Sequence, residues 1–228
     1  FSSIPQIPST FQGKLREYQE EGFRWLLRMA SLELGACLAD DMGLGKTIQA
    51  LAALLYLAGK GPSLVLAPTS VCMNWLREAR RFTPSLNMRF IGEGDREELL
   101  ARPGPYDVLL CSYGLLQNEI GSLEKIPWNC IVLDEGQAIK NPRTQRSKNV
   151  MRLKGRFRLI TSGTPLENHL GELWNLFRFL NPGLLGSLRS FNQRFALPIE
   201  KEGDPHAAKR LKRLLDPFLL RRTKNQVL

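Results

Sequence analysis

The chain has 228 residues, 43% of them hydrophobic and 24% charged, and 32 Lys and Arg against 22 Asp and Glu give a formal net charge of +10. That length and apolar content exclude a disordered chain and suit one large domain or two small ones. No apolar run approaches the roughly 20 residues of a membrane helix, and no charged-then-apolar leader opens the chain, so a soluble protein without membrane partners is expected. The four cysteines, Cys37, Cys72, Cys111 and Cys130, show no C-x-x-C spacing and mostly sit in apolar runs. They read as buried, reduced thiols of an intracellular protein rather than as a zinc site or a disulfide framework. A start at Phe1 and a stop at Leu228 just after a basic run lead to the expectation of a piece of a longer protein.

Residues 15–34 space Leu15, Tyr18, Gly22, Leu26 and Met29 by three and four, with Glu17, Glu20, Glu21 and Arg28 between them. This predicts an amphipathic helix. An apolar strand over 35–39 then runs into Asp40-Asp41-Met42-Gly43-Leu44-Gly45-Lys46-Thr47, and helical periodicity resumes at Ile48. Strand, Gly-x-Gly-Lys-Thr turn and helix together form a cradle of inward N–H groups at a helix N-terminus, suited to anionic phosphate. Lys46 is placed to reach the β- and γ-phosphates of a nucleoside triphosphate, and the Thr47 hydroxyl to coordinate Mg²⁺. The strict pattern has Gly where Asp40 stands.

Further strands are predicted over 63–67, 88–91, 107–112, 130–133 and 158–161, several too apolar to be solvated on one face. The strand over 130–133 ends in Asp134-Glu135. Two carboxylates at the end of a buried strand are costly unless they serve a cation or a proton. Asp134 suits Mg²⁺, held directly or through water, and Glu135 suits activation of an attacking water. Alternating strands and helices predict an α/β fold, an open parallel sheet with helices on both faces and the ligand at the strands' C-terminal ends. From Gly171 the pattern is helical only: Leu173, Leu176, Phe177 and Leu180 form a stripe, Asn181-Pro182-Gly183 breaks it, and basic helices continue to Leu215.

Charge is unevenly spread. Residues 1–139 hold 13 Lys and Arg against 16 Asp and Glu, a net of −3, whereas residues 140–228 hold 19 against 6, a net of +13. Such a region suits a polyanion bound through salt-sensitive phosphate contacts; the alternative is a solvated basic face.

Residues 40–47, Asp134-Glu135-Gly136-Gln137-Ala138-Ile139-Lys140-Asn141 and Ser162-Gly163-Thr164-Pro165-Leu166-Glu167-Asn168 resemble motifs I, II and III of Swi/Snf-type ATPases of helicase superfamily two. Leu15-Arg16-x-Tyr18-Gln19-x-x-Gly22 is similar to that family's adenine-recognising helix, and Pro68-Thr69-Ser70 with Asn74-Trp75 to its motif Ia. Leu219-Leu220-Arg221-Arg222-Thr223-Lys224 resembles the segment that closes the first lobe. The likeness spans essentially the whole chain and implies a RecA-like, P-loop first lobe of a double-stranded-DNA translocase, using ATP and Mg²⁺. It implies a lobe core over 1–170, a helical protrusion over 171–215 and a lobe end over 216–228 leading to a second lobe in cis.

By the same resemblance, Gln19 bonds the adenine edge, Arg16 and Tyr18 pack the base, and Asp41, Met42, Gly43, Leu44, Gly45, Lys46 and Thr47 hold the nucleotide. Lys46 and Glu135 are then the catalytic pair, and Thr47 and Asp134 the metal ligands. Gln137, Ser162, Gly163 and Thr164 couple nucleotide to DNA, and Thr69, Ser70, Asn74, Ser112 and Tyr113 touch backbone phosphates without reading sequence. Trp75, an aromatic on a helix after a strand, reads as core. Gln137 stands where many superfamily-two proteins carry His, and Ser162 where Thr is common. Nothing in the chain resembles the second lobe, whose arginine fingers complete the γ-phosphate site, so hydrolysis by this lobe alone is expected to be slow or absent. A strand-separating helicase of the same superfamily and a non-catalytic nucleotide- or DNA-docking module are the alternatives. The location implied is cytoplasmic, associated with a nucleoid, or nuclear.

Overall fold

Side chains alternate across the central strands, and both alternating sets are apolar. Cys130 and Val132 join one buried cluster while their neighbours Ile131 and Leu133 join the other, which is what a parallel sheet covered on both faces requires. A computed structural model describes residues 3–163 and 169–228. Among them seven strands, β1 (Ala36–Leu38), β2 (Ser63–Ala67), β3 (Asn87–Phe90), β4 (Asp107–Ser112), β5 (Trp128–Asp134), β6 (Gly155–Thr161) and β7 (Leu219–Leu220), form one sheet. Its order is β3-β4-β2-β5-β6-β1-β7 and every pairing is parallel.

Helices α1 (Glu17–Ser31), α2 (Lys46–Leu57) and α3 (Thr69–Phe82) cover one face, with Phe23, Leu26, Leu51, Leu54, Trp75 and Leu76 in the shared core. The opposite face takes α4 (Arg96–Ala101), α5 (Tyr113–Leu123), α6 (Gln145–Met151), α7 (Leu170–Leu180), α8 (Leu188–Phe191), α9 (Leu197–Glu202) and α10 (Pro205–Leu215). Asp95, Ser112, Thr144, Ser187 and Asp204 each cap the helix that follows, accepting a hydrogen bond from a first-turn N–H, as residues of this type do. The chain is therefore an open parallel α/β sheet with helices on both faces, as its alternation of periods predicts.

Two differences from the expected elements have physical reasons. Helix α1 ends at Ser31 rather than at 34, because Glu33 takes a positive φ of 55° that no α-helix accommodates. Beyond the helices expected up to Leu215 there is also an unexpected strand: β7 returns to the sheet and pairs Leu219 with Cys37 and Leu220 with Leu38. Two residues are too few to show a period, so only the tertiary pairing reveals this strand.

Asn181, which ends the apolar stripe of α7, ties the late helices to the start of β1. Its Oδ1 accepts from the Gly35 N–H at 2.8 Å and its Nδ2 donates to the Gly35 carbonyl at 3.2 Å. Gly35 leaves no room for a side chain, since a Cβ there would stand 2.1 Å from the Leu180 carbonyl oxygen. We expect Gly35→Ala to destabilise the chain by about 1–3 kcal/mol through forced backbone movement, measured by urea denaturation. The four cysteines are free and buried, and burial pushes the thiols of Cys37, Cys111 and Cys130 up to about 12 and that of Cys72 up to about 11. An aromatic disulfide reagent at pH 8 should therefore titrate none of them in the native protein and all four after denaturation.

Candidate nucleotide site

Strands β5, β6 and β1 are consecutive neighbours in the sheet, so whatever follows their C-terminal ends is brought together. Asp134-Glu135 follows β5, Ser162-Gly163 follows β6, and residues 40–47 follow β1. Three segments far apart in sequence thus meet at one edge, where an open parallel sheet binds ligands.

In the loop after β1, Gly43 and Gly45 take φ values of 87° and 84°, a region that glycine enters without strain, and α2 starts at Lys46. The Leu44 side chain is buried, so its backbone alone faces a ligand, whereas Met42 is exposed at the tip. The Lys46 Nζ donates to the Asp40 carbonyl at 2.8 Å and lies on the longer approach of 3.4 Å to that of Asp41. Burial lowers the Lys46 pKa from its ordinary value, opposed by the nearby charges of Asp40, Glu135, Asp134 and Asp41. A Cβ built on Gly163 would lie 3.5 Å from that same Nζ, so Gly163 sits directly across the loop from Lys46.

Asp40, standing where the phosphate-loop pattern has Gly, is fully buried. Its carboxylate meets Arg222 in a forked pair, Nε donating to Oδ1 at 3.0 Å and Nη2 to Oδ2 at 2.7 Å, while the Arg222 backbone N–H also donates to Oδ1 at 3.0 Å. Arg222 donates further to Gln49 Oε1 at 2.8 Å and to the Tyr18 carbonyl, and it lies 5.3 Å from the centre of the Tyr18 ring. The sequence carries no local sign of this pair, whose members are 182 residues apart.

Around Asp134 the acceptors are filled by protein donors. Trp75 Nε1 donates to Oδ2 at 2.8 Å, and Thr161 Oγ1 and the Glu135 N–H donate to Oδ1 at 2.5 and 3.0 Å. A carboxylate offers about four acceptor sites, so these three leave one for a direct or water-mediated metal contact. The Thr47 hydroxyl has no hydrogen-bond partner among the described residues. This donor set fits a hydrated Mg²⁺, and the glycine cradle beside Lys46 fits a nucleotide's phosphates. Glu135 adopts the left-handed region, with φ 49° and ψ 53°, a strain that costs on the order of 1–3 kcal/mol and gathers at functional sites. Its Oε2 accepts from Gln137 Nε2 at 2.6 Å, and Gln137 Oε1 accepts from Ser162 Oγ at 2.9 Å. A side-chain chain therefore runs from the end of β5 to the end of β6. Thr164, expected to join it, lies outside the described residues.

The remaining expected residues divide. Arg16 is exposed at the start of α1, and the Gln19 amide accepts from the Arg16 N–H at 2.9 Å and donates to the Leu44 carbonyl at 3.1 Å, which sets it over the loop. Tyr18 is buried and its hydroxyl donates to the same carbonyl at 2.8 Å. It thereby props the loop from the side of α1. Thr69 and Ser70 are exposed at the start of α3, and Asn74 follows half-buried, accepting from Arg77 at 3.1 Å. Ser112 and Tyr113 are buried: Ser112 caps α5, and the Tyr113 hydroxyl donates to the Asp134 carbonyl at 2.8 Å. Both hydroxyls thus have partners within the lobe. Trp75 is core, as expected, but it is also the donor that orients Asp134.

The family model for the SNF2-related domain matches residues 18–228. This chain belongs to that family. It is 46% identical over 227 residues to YwqA of Bacillus subtilis, named as an ATP-dependent helicase/translocase, covering 96% of this chain and 24% of that protein. It is 40% identical to the ISWI chromatin-remodelling complex ATPase ISW1 of Saccharomyces cerevisiae, covering 97% of this chain and 20% of that one. The SNF2-related chain thus spans about a quarter or less of the length of these relatives. The SWI2/SNF2 ATPase core of Sulfolobus solfataricus in complex with dsDNA superposes with a TM-score of 0.89 at 42% identity, over 99% of this chain and 49% of that one.

For the SNF2-related chain, the buried pair makes a stability test. Arg222→Met should cost about 3–5 kcal/mol, because it leaves the Asp40 carboxylate buried without its partner, and Arg222→Met with Asp40→Ala should recover part of that loss. Urea denaturation of the two variants against the wild type measures both.

Proposed function

We propose that this chain is the first ATP-binding lobe of a DNA-dependent ATPase that translocates on double-stranded DNA and remodels protein–DNA complexes. The observation that carries the reading is the adjacency of β5, β6 and β1, which gathers the phosphate loop, Asp134-Glu135 and Ser162-Gly163 at one sheet edge. Lys46 would leave the Asp40 carbonyl for the phosphates, Thr47 and Asp134 would hold Mg²⁺, and Glu135 would orient and deprotonate the attacking water. ATP with Mg²⁺ supplies the phosphoanhydride whose hydrolysis drives the cycle. Gln19, which reaches the loop at the Leu44 carbonyl, would bond the adenine edge with Arg16 packing the base, and Gln137 with Ser162 and Gly163 would pass changes at Glu135 to the loop after β6.

A duplex as partner is supported by the exposed hydroxyls Thr69 and Ser70 and by the Sulfolobus core, which was solved with dsDNA. The exposed basic side chains Lys209, Arg210, Lys212 and Arg213 of α10 add sequence-independent attraction. Because this chain covers 49% of that ATPase core, the arginines that complete the γ-phosphate site would come from a second lobe in the same polypeptide. The lobe alone would then hydrolyse ATP slowly or not at all.

In the full-length protein we expect Glu135→Gln to retain ATP binding and to lower DNA-stimulated hydrolysis by at least about a hundredfold, with duplex a better activator than single strands. Hydrolysis at the wild-type rate would remove Glu135 from its role. Preference for single strands together with strand separation would replace the translocase reading with a helicase.

A further inference from the structure

No nucleotide role has fallen to residues 219–224, the segment that leaves the sheet at β7, although it follows the first half of the phosphate loop residue by residue. The Ala39 N–H donates to the Leu220 carbonyl at 2.8 Å and the Asp41 N–H to the Arg222 carbonyl at 2.9 Å. In the other direction, the Arg222 N–H donates to Asp40 Oδ1 at 3.0 Å and the Lys224 N–H to Asp41 Oδ2 at 3.1 Å. The segment therefore extends the β1–β7 pairing into the loop, with the buried Arg222–Asp40 pair as its fastening.

That ladder brings Lys224 to the loop's glycine turn. A Cβ built on Gly43 would lie 3.6 Å from both Cε and Nζ of Lys224, an ordinary contact distance that sets the lysine's end directly beside the glycine turn. The Lys224 side chain is exposed, and its Nζ has neither a hydrogen bond nor an ion pair among the described residues. The nearby Asp41 carboxylate meets the Lys224 backbone N–H and faces Arg221 at 3.8 Å, and makes no ion pair with the Lys224 ammonium. The loop is thus flanked by two ammonium groups: Lys46 at the start of α2 and Lys224 beside the opposite glycine.

We propose that Lys224 is a second nucleotide-binding lysine, its ammonium attracting the phosphates of a nucleoside di- or triphosphate held in residues 41–47, and that the Arg222–Asp40 pair positions it there. The inference rests on the reading of that loop as a nucleotide site. An ammonium at the rim acts through Coulomb attraction, so its effect grows with the number of phosphate charges and is screened by salt. A lysine that only packed against the loop would affect all nucleotides alike.

The test is equilibrium binding of ATP, ADP and AMP to the full-length protein and to its Lys224→Ala, Lys224→Arg and Lys46→Ala variants, at low and high salt. For Lys224→Ala we expect ATP affinity to fall about three- to tenfold at low salt, with smaller losses for ADP and AMP and a narrower gap at high salt. Lys224→Arg should keep most of the affinity, and the melting temperature without nucleotide should stay unchanged. Wild-type ATP affinity in Lys224→Ala, or an equal loss for all three nucleotides, overturns the proposal provided that Lys46→Ala loses binding. If Lys46→Ala also binds as the wild type does, the nucleotide reading of the loop fails with it.

Discussion

A carboxylate without access to water must have its charge answered inside the protein, and Asp40 is in that position at the end of β1. Arg222 answers it from 182 residues away, and much of the surrounding architecture follows from making that meeting possible. The arginine can reach only if β7 lies beside β1, and its spare donors are taken by Gln49 of α2 and by the Tyr18 carbonyl of α1. Gly22 has its place in the same arrangement: a Cβ there would stand 1.9 Å from Gln49 Oε1 and 2.8 Å from Arg222 Nη2. The glycine in the α1 motif is therefore a clearance for the ion pair rather than an approach to a base. Removing one member of such a pair is far more damaging than never having had it, which is why an Asp can stand at the loop's first position so long as the Arg stands with it.

The second fixed point is Asp134. Its carboxylate is held by donors from three elements, Trp75 of α3, Thr161 of β6 and the backbone of Glu135, and its carbonyl by Tyr113 of α5. Donors committed in this way leave the carboxylate little rotational freedom, so a metal ligand would be pre-positioned and would pay little ordering entropy on binding. Immediately beyond it, Glu135 is strained and half-buried, tied by one hydrogen bond to Gln137. In the proposed roles, the tightly held residue would serve the cation and the one with a single side-chain bond the water, separated by a single turn of backbone into the left-handed region.

What was legible in the sequence was whatever is contiguous. The apolar runs fixed their own strand character, and the Gly-Leu-Gly-Lys-Thr turn, the Asp-Glu pair and the Ser-Gly step each sat at a strand end where a parallel sheet would put a site. The alternation of strands and helices carried the layer architecture. Illegible were features set by distant partners: the two-residue β7, the Asp40–Arg222 pair and the indole donor on Asp134. At Ser112 and Tyr113 the sequence could not show the internal bonds, because a hydroxyl pair after a strand has the same local form whether it faces a phosphate or caps a helix. The basic C-terminal third misled in degree. Arg222 is a core residue, Arg158 gives its donors to the Phe179 and Leu153 carbonyls, and Arg152 is bonded to Glu124, so the charge count exceeds the charge free to meet a polyanion.

Burial also separates what is fixed in the phosphate loop from what can move. At Asp40 and Arg222 the contacts are dry, forked and close, and exchanging them for water would expose two charges' worth of unmet hydrogen bonding. One or two residues away from each member of the pair the character changes: Asp41 is half-buried, Arg221 approaches it only to 3.8 Å, and Lys224 is exposed. Contacts of that kind are worth little and break readily. The Lys46 ammonium, held by loop carbonyls at 2.8 and 3.4 Å, and the Gln19 amide, held at 3.1 Å by the Leu44 carbonyl, are likewise bonded to groups they can trade for a ligand's. The loop's root is therefore fastened to β7 through the buried pair, whereas its glycine turn is held by contacts that an entering anion could replace.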